Sequence, residues 1–239
     1  MDHKDFPPLE IIYQDKDLIA INKPHGLLVH RTKIAADTNT FALQLLRDQI
    51  GQHVYPVHRL DRKTSGVLLF ALNKETQSLV MRQFREHIVS KAYIAIVRGY
   101  APKSGIIDYE LTNDKNKTQS ALTKYKTIVH TEIRIPHGKH PTSRYAVVKL
   151  FPKTGRMHQL RKHMSHIFHP IIGDRPHGCN KQNRLWKNRW NMDRMMLHAY
   201  ELQLTHPSHN KLIKIDAKLS DSFMSCLNII NIDSAILDV

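Results

Sequence analysis

Two rhythms of apolar and polar residues run along this chain, and each predicts its own kind of element. Residues 9–13 and 18–22 are short apolar runs separated by the polar Gln14-Asp15-Lys16-Asp17, which predicts two strands joined by a turn. Over residues 37–50 the rhythm changes: Phe41, Leu45 and Leu46 fall at helical spacing, and Gly51 follows as a C-terminal stop. Residues 67–72 are continuously apolar and read as a buried strand. Asn73 is a good N-cap for a second helix, with Val80, Phe84 and Ile88 on one face. Residues 91–97 are β-branched and apolar on both sides, as in a sheet interior. Residues 113–120 are polar and repeat Asn and Lys, which predicts an exposed hairpin or insertion. Further strands are expected over 145–151 and 197–205, and a short helix over 159–167. Ser220 caps a last helix ending near Ile230, with a loosely packed tail from Asn231 to Val239. Strands and helices intermixed in this way predict an α/β chain.

Composition adds a partner class. The 239 residues carry 36 Lys+Arg against 21 Asp+Glu, a net charge of +15, the electrostatic footprint of a nucleic-acid binder. The apolar runs fall far short of the ~20 residues needed to cross a bilayer, so no membrane role is expected. Met1-Asp2-His3-Lys4-Asp5 is polar and charged, unlike a secretory leader. The two cysteines, Cys179 and Cys226, make no disulfide framework and fit a reducing cytoplasm. No Gly-, Ser- or Pro-rich linker and no internal repeat interrupts the pattern, so residues 1–239 are expected to form a single domain and to act as a monomer without an obligate protein partner.

Candidate chemistry concentrates in His58-Arg59-Leu60-Asp61-Arg62-Lys63-Thr64-Ser65-Gly66, just before the buried strand. Asp61 sits among cations, and positive neighbours favour the ionised form of a carboxylate. Thr64, Ser65 and Gly66 supply small hydrogen-bonding groups and a flexible residue for a tight turn. Taken by itself, an Asp between two arginines is most often an ordinary exposed ion pair.

The nine-residue string resembles the signature of the RluA-type pseudouridine synthases, with Asp61 in the place of the catalytic aspartate. Other segments resemble the family in the same order: Asn22-Lys23-Pro24-His25-Gly26 with Val29-His30, Lys91 to Gly99 around Tyr93, Thr154 to His163 continued by His169 to Asp174, and Met196-Leu197-His198-Ala199. Residues 47–54 and 141–174 are most similar to the subgroup that modifies uridine 65 of tRNA. The resemblance implies the pseudouridine synthase catalytic fold, of the α+β type with a mixed, mostly antiparallel central sheet flanked by helices, and an isomerase that breaks the bond from uracil N1 to the ribose, turns the base and rejoins it through C5. That reaction has no redox step and no group donor, so no cofactor is expected.

On this resemblance Asp61 either attacks the anomeric carbon or takes a ribose proton. Arg161 is expected to grip Asp61, with Arg156 as the competitor for that role and otherwise a phosphate contact. Tyr93 shares a strand face with Ala95 and Val97, and the resemblance places its ring on the target uracil. Arg59 would enter the RNA stack and hold the flipped nucleotide, since a stacked base must be extruded before its glycosidic bond is reached. His58, Arg62 and Thr64 are further RNA-binding candidates, and Leu197 a base-pocket wall or a plain core residue. Many relatives carry an N-terminal S4-type RNA-binding domain; here the pattern starts at Leu9, and none is expected.

Two clusters admit more than one reading. His163, His166 and His169, with His177 and Cys179 nearby, lack the two-plus-two spacing of zinc modules, so a basic face for RNA phosphates is expected and no metal. Trp186 and Trp190 alternate with Arg184, Lys187 and Arg189, which suits either stacking on RNA or a helix packing its tryptophans inward. A catalytically silent RNA-binding module would share the charge but need not keep Asp61, Tyr93 and Arg161 together. A metal-dependent nuclease or deaminase would need a carboxylate cluster or a zinc motif, and neither is present. Within the family the alternative substrate is ribosomal RNA.

Overall fold

The computed structural model describes residues 7–30 and 40–238. In chain order the elements begin with β1 (Ile11–Gln14), β2 (Leu18–Lys23), α1 (Ala42–Ile50), β3 (Tyr55–Pro56), β4 (Ser65–Ala71) and α2 (Lys74–Arg85). There follow β5 (Ser90–Arg98), β6 (Ser104–Asp108), β7 (Leu111–Thr112), β8 (Thr118–Gln119), β9 (Leu122–Ile133) and β10 (Ser143–Pro152). The chain ends with α3 (Gln159–His166), α4 (Asn180–Trp190), β11 (Leu197–Thr205), β12 (Leu212–Asp216), α5 (Asp221–Ile229) and a 3-10 turn over Ser234–Asp238. The class is mixed α+β with a large, mostly antiparallel sheet, as the sequence predicts. Two compact units can be distinguished: Met1–Lys91 with Ala199–Lys218, and Ala92–His198 with Leu219–Val239.

In the first unit β1, β2 and β4 pair antiparallel, and β3 adds to β4. All seven residues of β4 are buried, which is why its sequence is continuously apolar instead of alternating. One face of the strands carries Leu18, Ala20, Val67, Leu69 and Ala71, and α2 covers it with Val80 and Phe84. Asn73 caps α2 as expected, its side chain accepting from the Thr76 amide at 2.8 Å. Ile88 departs from expectation: α2 stops at Arg85, His87 takes a left-handed backbone, and Ile88 is 60% exposed. The helix predicted over 37–50 is α1, starting at Ala42 and closed by Gly51 in the left-handed conformation; residues 37–39 lie outside the described residues.

The antiparallel register sets Lys23, the last residue of β2, opposite Gly66 near the start of β4. The loop after β2 and the loop before β4 are therefore neighbours. Gly66 has φ +107°, and a Cβ there would lie 2.1 Å from the Ala199 carbonyl oxygen. Gly66→Ala is therefore expected to cost at least ~1–3 kcal/mol for the backbone conformation alone, with the clash added. A urea melt within ~0.5 kcal/mol of wild type would contradict this.

In the second unit the strand order is β5-β10-β9-β6, antiparallel throughout. Its core holds Ala95, Val97, Val148, Leu150, Leu197 and, from α3, Leu160 and Met164. The polar stretch 113–120 contains the turn of the small β7–β8 hairpin, as expected. Trp186 of α4 is buried and donates from its indole to the Tyr145 hydroxyl at 3.1 Å, while Trp190 packs edge-on against it. Inward packing is thus the outcome for Trp186, and Arg184, Lys187 and Arg189 face solvent. The tail predicted to be loose keeps Ile232 buried before its 3-10 turn.

Candidate active site

The Asp61 loop is built around a buried lysine. Lys23 is fully inaccessible, and its Nζ donates to the carbonyls of Pro24 (2.9 Å), Leu27 (2.8 Å) and Arg62 (3.2 Å). Three carbonyl acceptors match the three N–H groups of an ammonium, whereas a neutral amine would leave one carbonyl unserved. Burial pushes the Lys23 pKa down to about 7, and the nearby charge of Asp61 opposes that fall. Two more bonds stitch the same loops: the Gly26 amide to the Arg62 carbonyl at 2.8 Å, and Arg62 Nε to the Gly26 carbonyl at 3.0 Å. Asp61 itself is half-buried, and its carbonyl accepts from the Thr64 amide at 3.0 Å, closing a tight turn into β4. Thr64 is buried, while Arg59 and Arg62 are exposed.

His58 is used internally. Its Nε2 accepts from the Leu69 amide at 3.0 Å, and its ring stacks on Phe84. Burial first, then the positive charge of Lys91, pushes its pKa down to about 3, so the ring is neutral at physiological pH. Between its ordinary value of 6.5 and about 3 the unfolded chain binds the proton and the folded one does not. Stability from this group is thus complete above pH ~6.5 and lost as pH falls through that window, by at most ~1.4 kcal/mol per pH unit. Urea midpoints measured from pH 7 to pH 4 should fall more steeply for wild type than for His58→Gln; equal slopes would contradict the assignment.

In the second unit the third motif is organised by its buried glutamine. Gln159 Oε1 accepts from Thr154 Oγ1 (2.7 Å) and the Arg156 amide (3.0 Å), while Nε2 donates to the Leu122 carbonyl and Thr123 Oγ1. This fixes the start of α3, and Arg161, two residues on, is buried. Arg161 is gripped bidentately by Asp174, Nε to Oδ2 at 2.8 Å and Nη2 to Oδ1 at 2.7 Å, with both side chains buried. Asp174 is in turn held by Asn183, which donates to the Asp174 carbonyl and accepts from the Gly173 amide. The competitor, Arg156, donates from Nε to the Ser120 carbonyl at 3.0 Å. Tyr93 lies on β5 opposite Leu150 and packs against the apolar core that contains the buried Leu197. Lys23 and Asp174 lie within the family-like segments, but no role for either is legible in the sequence. A lysine closing a buried strand before Pro-x-Gly, and an acid following an apolar run, were the available signals.

The histidine cluster is dispersed. His163 is buried between Thr123 Oγ1 and the Tyr109 carbonyl, both at 3.0 Å, and burial lowers its pKa. His166 stacks on Tyr109, His169 bonds the Arg98 carbonyl, and His177 bonds His158 at 3.0 Å. Of these rings His163 is buried, whereas His166 is exposed and His169 and His177 are half-buried. Among the described residues one trio, Asp15, His206 and His209, brings metal-ligating atoms together. Its groups are already paired: Asp15 accepts from Tyr13, His206 and the amides of Asp17 and Leu18, and His206 Nδ1 accepts from the Ser208 amide. The two imidazoles stack at 3.8 Å, a clasp between the β1–β2 turn and the β11–β12 hairpin.

A family model described as RNA pseudouridylate synthase matches residues 17–166, from the start of β2 to the end of α3. The chain belongs to this family. It is an RNA uridine isomerase, and the loops pinned by Lys23, the Tyr93 strand and the Arg161 helix all fall within the matched span. The chain is 48% identical over 230 residues to tRNA pseudouridine synthase C of Haemophilus ducreyi, covering 92% of this chain and 95% of that one. The Pasteurella multocida protein of the same name is 47% identical over 236 residues, covering 94% and 97%. Among solved structures, Human RNA Pseudouridylate Synthase Domain Containing 4 aligns with a TM-score of 0.73 and 26% identity, covering 94% of each chain. No helix among the described residues is long and apolar enough to cross a membrane.

Proposed function

We propose that this enzyme is a cytoplasmic, monomeric tRNA pseudouridine synthase, that residues 1–239 serve as its single catalytic domain, and that its target is uridine 65. Identity near one half over nearly the whole length of relatives named tRNA pseudouridine synthase C carries the reading. The basic charge supports an RNA substrate. Asp61 is the reacting carboxylate, acting on the anomeric carbon or on a ribose proton. The bond from N1 to the anomeric carbon breaks, the uracil turns, C5 bonds to that carbon as Asp61 is released from it (or the ribose regains the proton Asp61 took), and the C5 proton leaves as N1 gains one. Exposed Arg59 enters the RNA stack in place of the extruded uridine, with His58, Arg62, Thr64 and Arg156 shaping or flanking the RNA-contacting surface. Tyr93 packs on the base and Leu197 backs its pocket. Arg161, its plane set by Asp174, is the arginine assigned to orient Asp61. The reaction needs no cofactor.

Mapping pseudouridines in total RNA with and without the gene tests this. Loss confined to position 65 of tRNA is expected; loss at a ribosomal site with tRNA unchanged would reassign the substrate. Lys23 acts in this scheme as a positioning residue. Lys23→Met should lower the single-turnover rate by on the order of 10²-fold, since small misplacements of a reacting group carry penalties of that size. Binding of tRNA should persist, and a wild-type rate in a folded Lys23→Met protein would remove the role.

A further inference from the structure

A cavity of about 270 Å³ in the second unit shares no residue with the proposed catalytic set. Arg98, His137, His140 and Arg144 line it, together with Glu132 and Gln182. Its geometry is set by backbone bonds. The His137 and His140 amides each donate to the other's carbonyl, at 2.9 and 3.2 Å, closing a tight turn through Gly138 at φ +62°. The Gly99 amide donates to the Arg144 carbonyl at 2.7 Å, which fixes the wall that carries Arg98.

The single carboxylate in the wall is already committed. Glu132 accepts from Thr142 Oγ1, from the Tyr100 hydroxyl at 2.6 Å and from Arg144 Nε at 3.2 Å, and its pKa is held down to about 2 by these contacts, the Thr142 bond first. Arg144 also lies over the Tyr100 ring. Arg98 lines the cavity beside His137, the charge of Lys181 also reaches that imidazole, and the one acid in the wall is already bonded elsewhere. Burial foremost, and then the nearby Arg98 and Lys181, hold the His137 pKa below its ordinary value. A concavity that gathers cations around a half-buried imidazole is complementary to a compact oxyanion.

We propose that this cavity is a phosphate seat, and that its occupant is a backbone phosphate of the RNA substrate. This rests on the tRNA reading above. The chemistry recognised is a phosphate group, which could come from an RNA chain or from free phosphate, and the test separates the two. Arg98 and Lys181 are both exposed, so Arg98→Gln/Lys181→Gln removes charge without disturbing the core. Isotope-labelled histidines report occupancy through the His137 imidazole, whose pKa rises when an anion offsets its cationic neighbours.

Stoichiometric tRNA should raise the His137 pKa in wild type. The double variant should bind tRNA roughly 10-fold more weakly and show a salt slope smaller by about 1, as expected for losing about one phosphate contact. Its single-turnover rate at saturating tRNA should equal wild type. Unchanged affinity and slope in a folded double variant would overturn the proposal, provided wild type binds and modifies tRNA in the same assay. A His137 response to millimolar inorganic phosphate but not to tRNA would overturn the RNA assignment and leave a free-phosphate seat. If wild type neither binds nor modifies tRNA, the substrate reading fails first, and the phosphate titration still reports separately on the seat.

Discussion

Asp61→Asn should abolish pseudouridine formation while leaving tRNA binding within a few-fold of wild type. The substitution keeps the size of the side chain and removes its charge, so the bonds from Lys23 to the Pro24, Leu27 and Arg62 carbonyls can survive. An amide can neither attack an anomeric carbon nor take a proton at a useful rate, and the loss should exceed ~10³-fold, at the far end of what a positioned reacting group contributes. Binding persists because it is driven by many phosphate contacts elsewhere on a chain of net charge +15. Single-turnover product formation and filter retention of tRNA, measured on the same preparation, separate the two quantities. Activity near wild type would remove Asp61 from the chemistry, and loss of binding together with activity would point to a collapsed loop. Losing the charge that opposes the depression of the Lys23 pKa also makes Lys23 easier to deprotonate. The variant should therefore be assayed below pH 7 as well as above it.

What could be read from the sequence depended on how each residue is used. β4 was legible because a strand buried on both faces must be apolar throughout, and Asn73 because a capping side chain sits at a fixed offset from the amide it serves. β9, the longest strand, was missed. Its inward positions include Thr123 and Thr127, both buried, so the period of two was present but not written in apolar residues. Ile88 falls at helical spacing with Val80 and Phe84, but the helix has stopped by then, with a left-handed His87 after it and no glycine to mark the stop. Within the candidate site, the Asp61 string and the third motif were found by resemblance. Their partners were not, because Lys23 works through backbone carbonyls, which leave no trace in residue identity. Asp174 meets Arg161 across a loop whose closure only the fold supplies. The histidines are the opposite case. Their regular spacing is visible in sequence, yet His163 points inward to Thr123 while His166 stacks on Tyr109.

The buried pair of Arg161 and Asp174 makes the largest stability prediction. Both side chains are almost inaccessible, and two N–H···O bonds of 2.8 and 2.7 Å lock the guanidinium plane. Asp174→Ala removes the acceptor of both bonds and should cost ~3–5 kcal/mol, as breaking one side of a buried ion pair does. For a chain of this length that lowers Tm by roughly 6–20 °C. Arg161→Lys keeps a positive charge, so it should cost less stability than Asp174→Ala. A lysine cannot hold a carboxylate bidentately or fix a plane, and the single-turnover rate should still fall by on the order of 10²-fold. The split between the two readouts carries the test. If Arg161 only braces the fold, Arg161→Lys assayed well below its Tm would turn over like wild type, and the loss in each variant would follow its melting temperature. If Arg161 orients Asp61, the lysine variant loses rate while still folded, and Asp174→Ala loses rate even at temperatures where circular dichroism reports a native protein. Arg156→Lys is the internal control: its Nε donates to the Ser120 carbonyl, a single bond that a lysine can replace. A larger rate loss in Arg156→Lys than in Arg161→Lys would show that the roles of the two arginines are reversed.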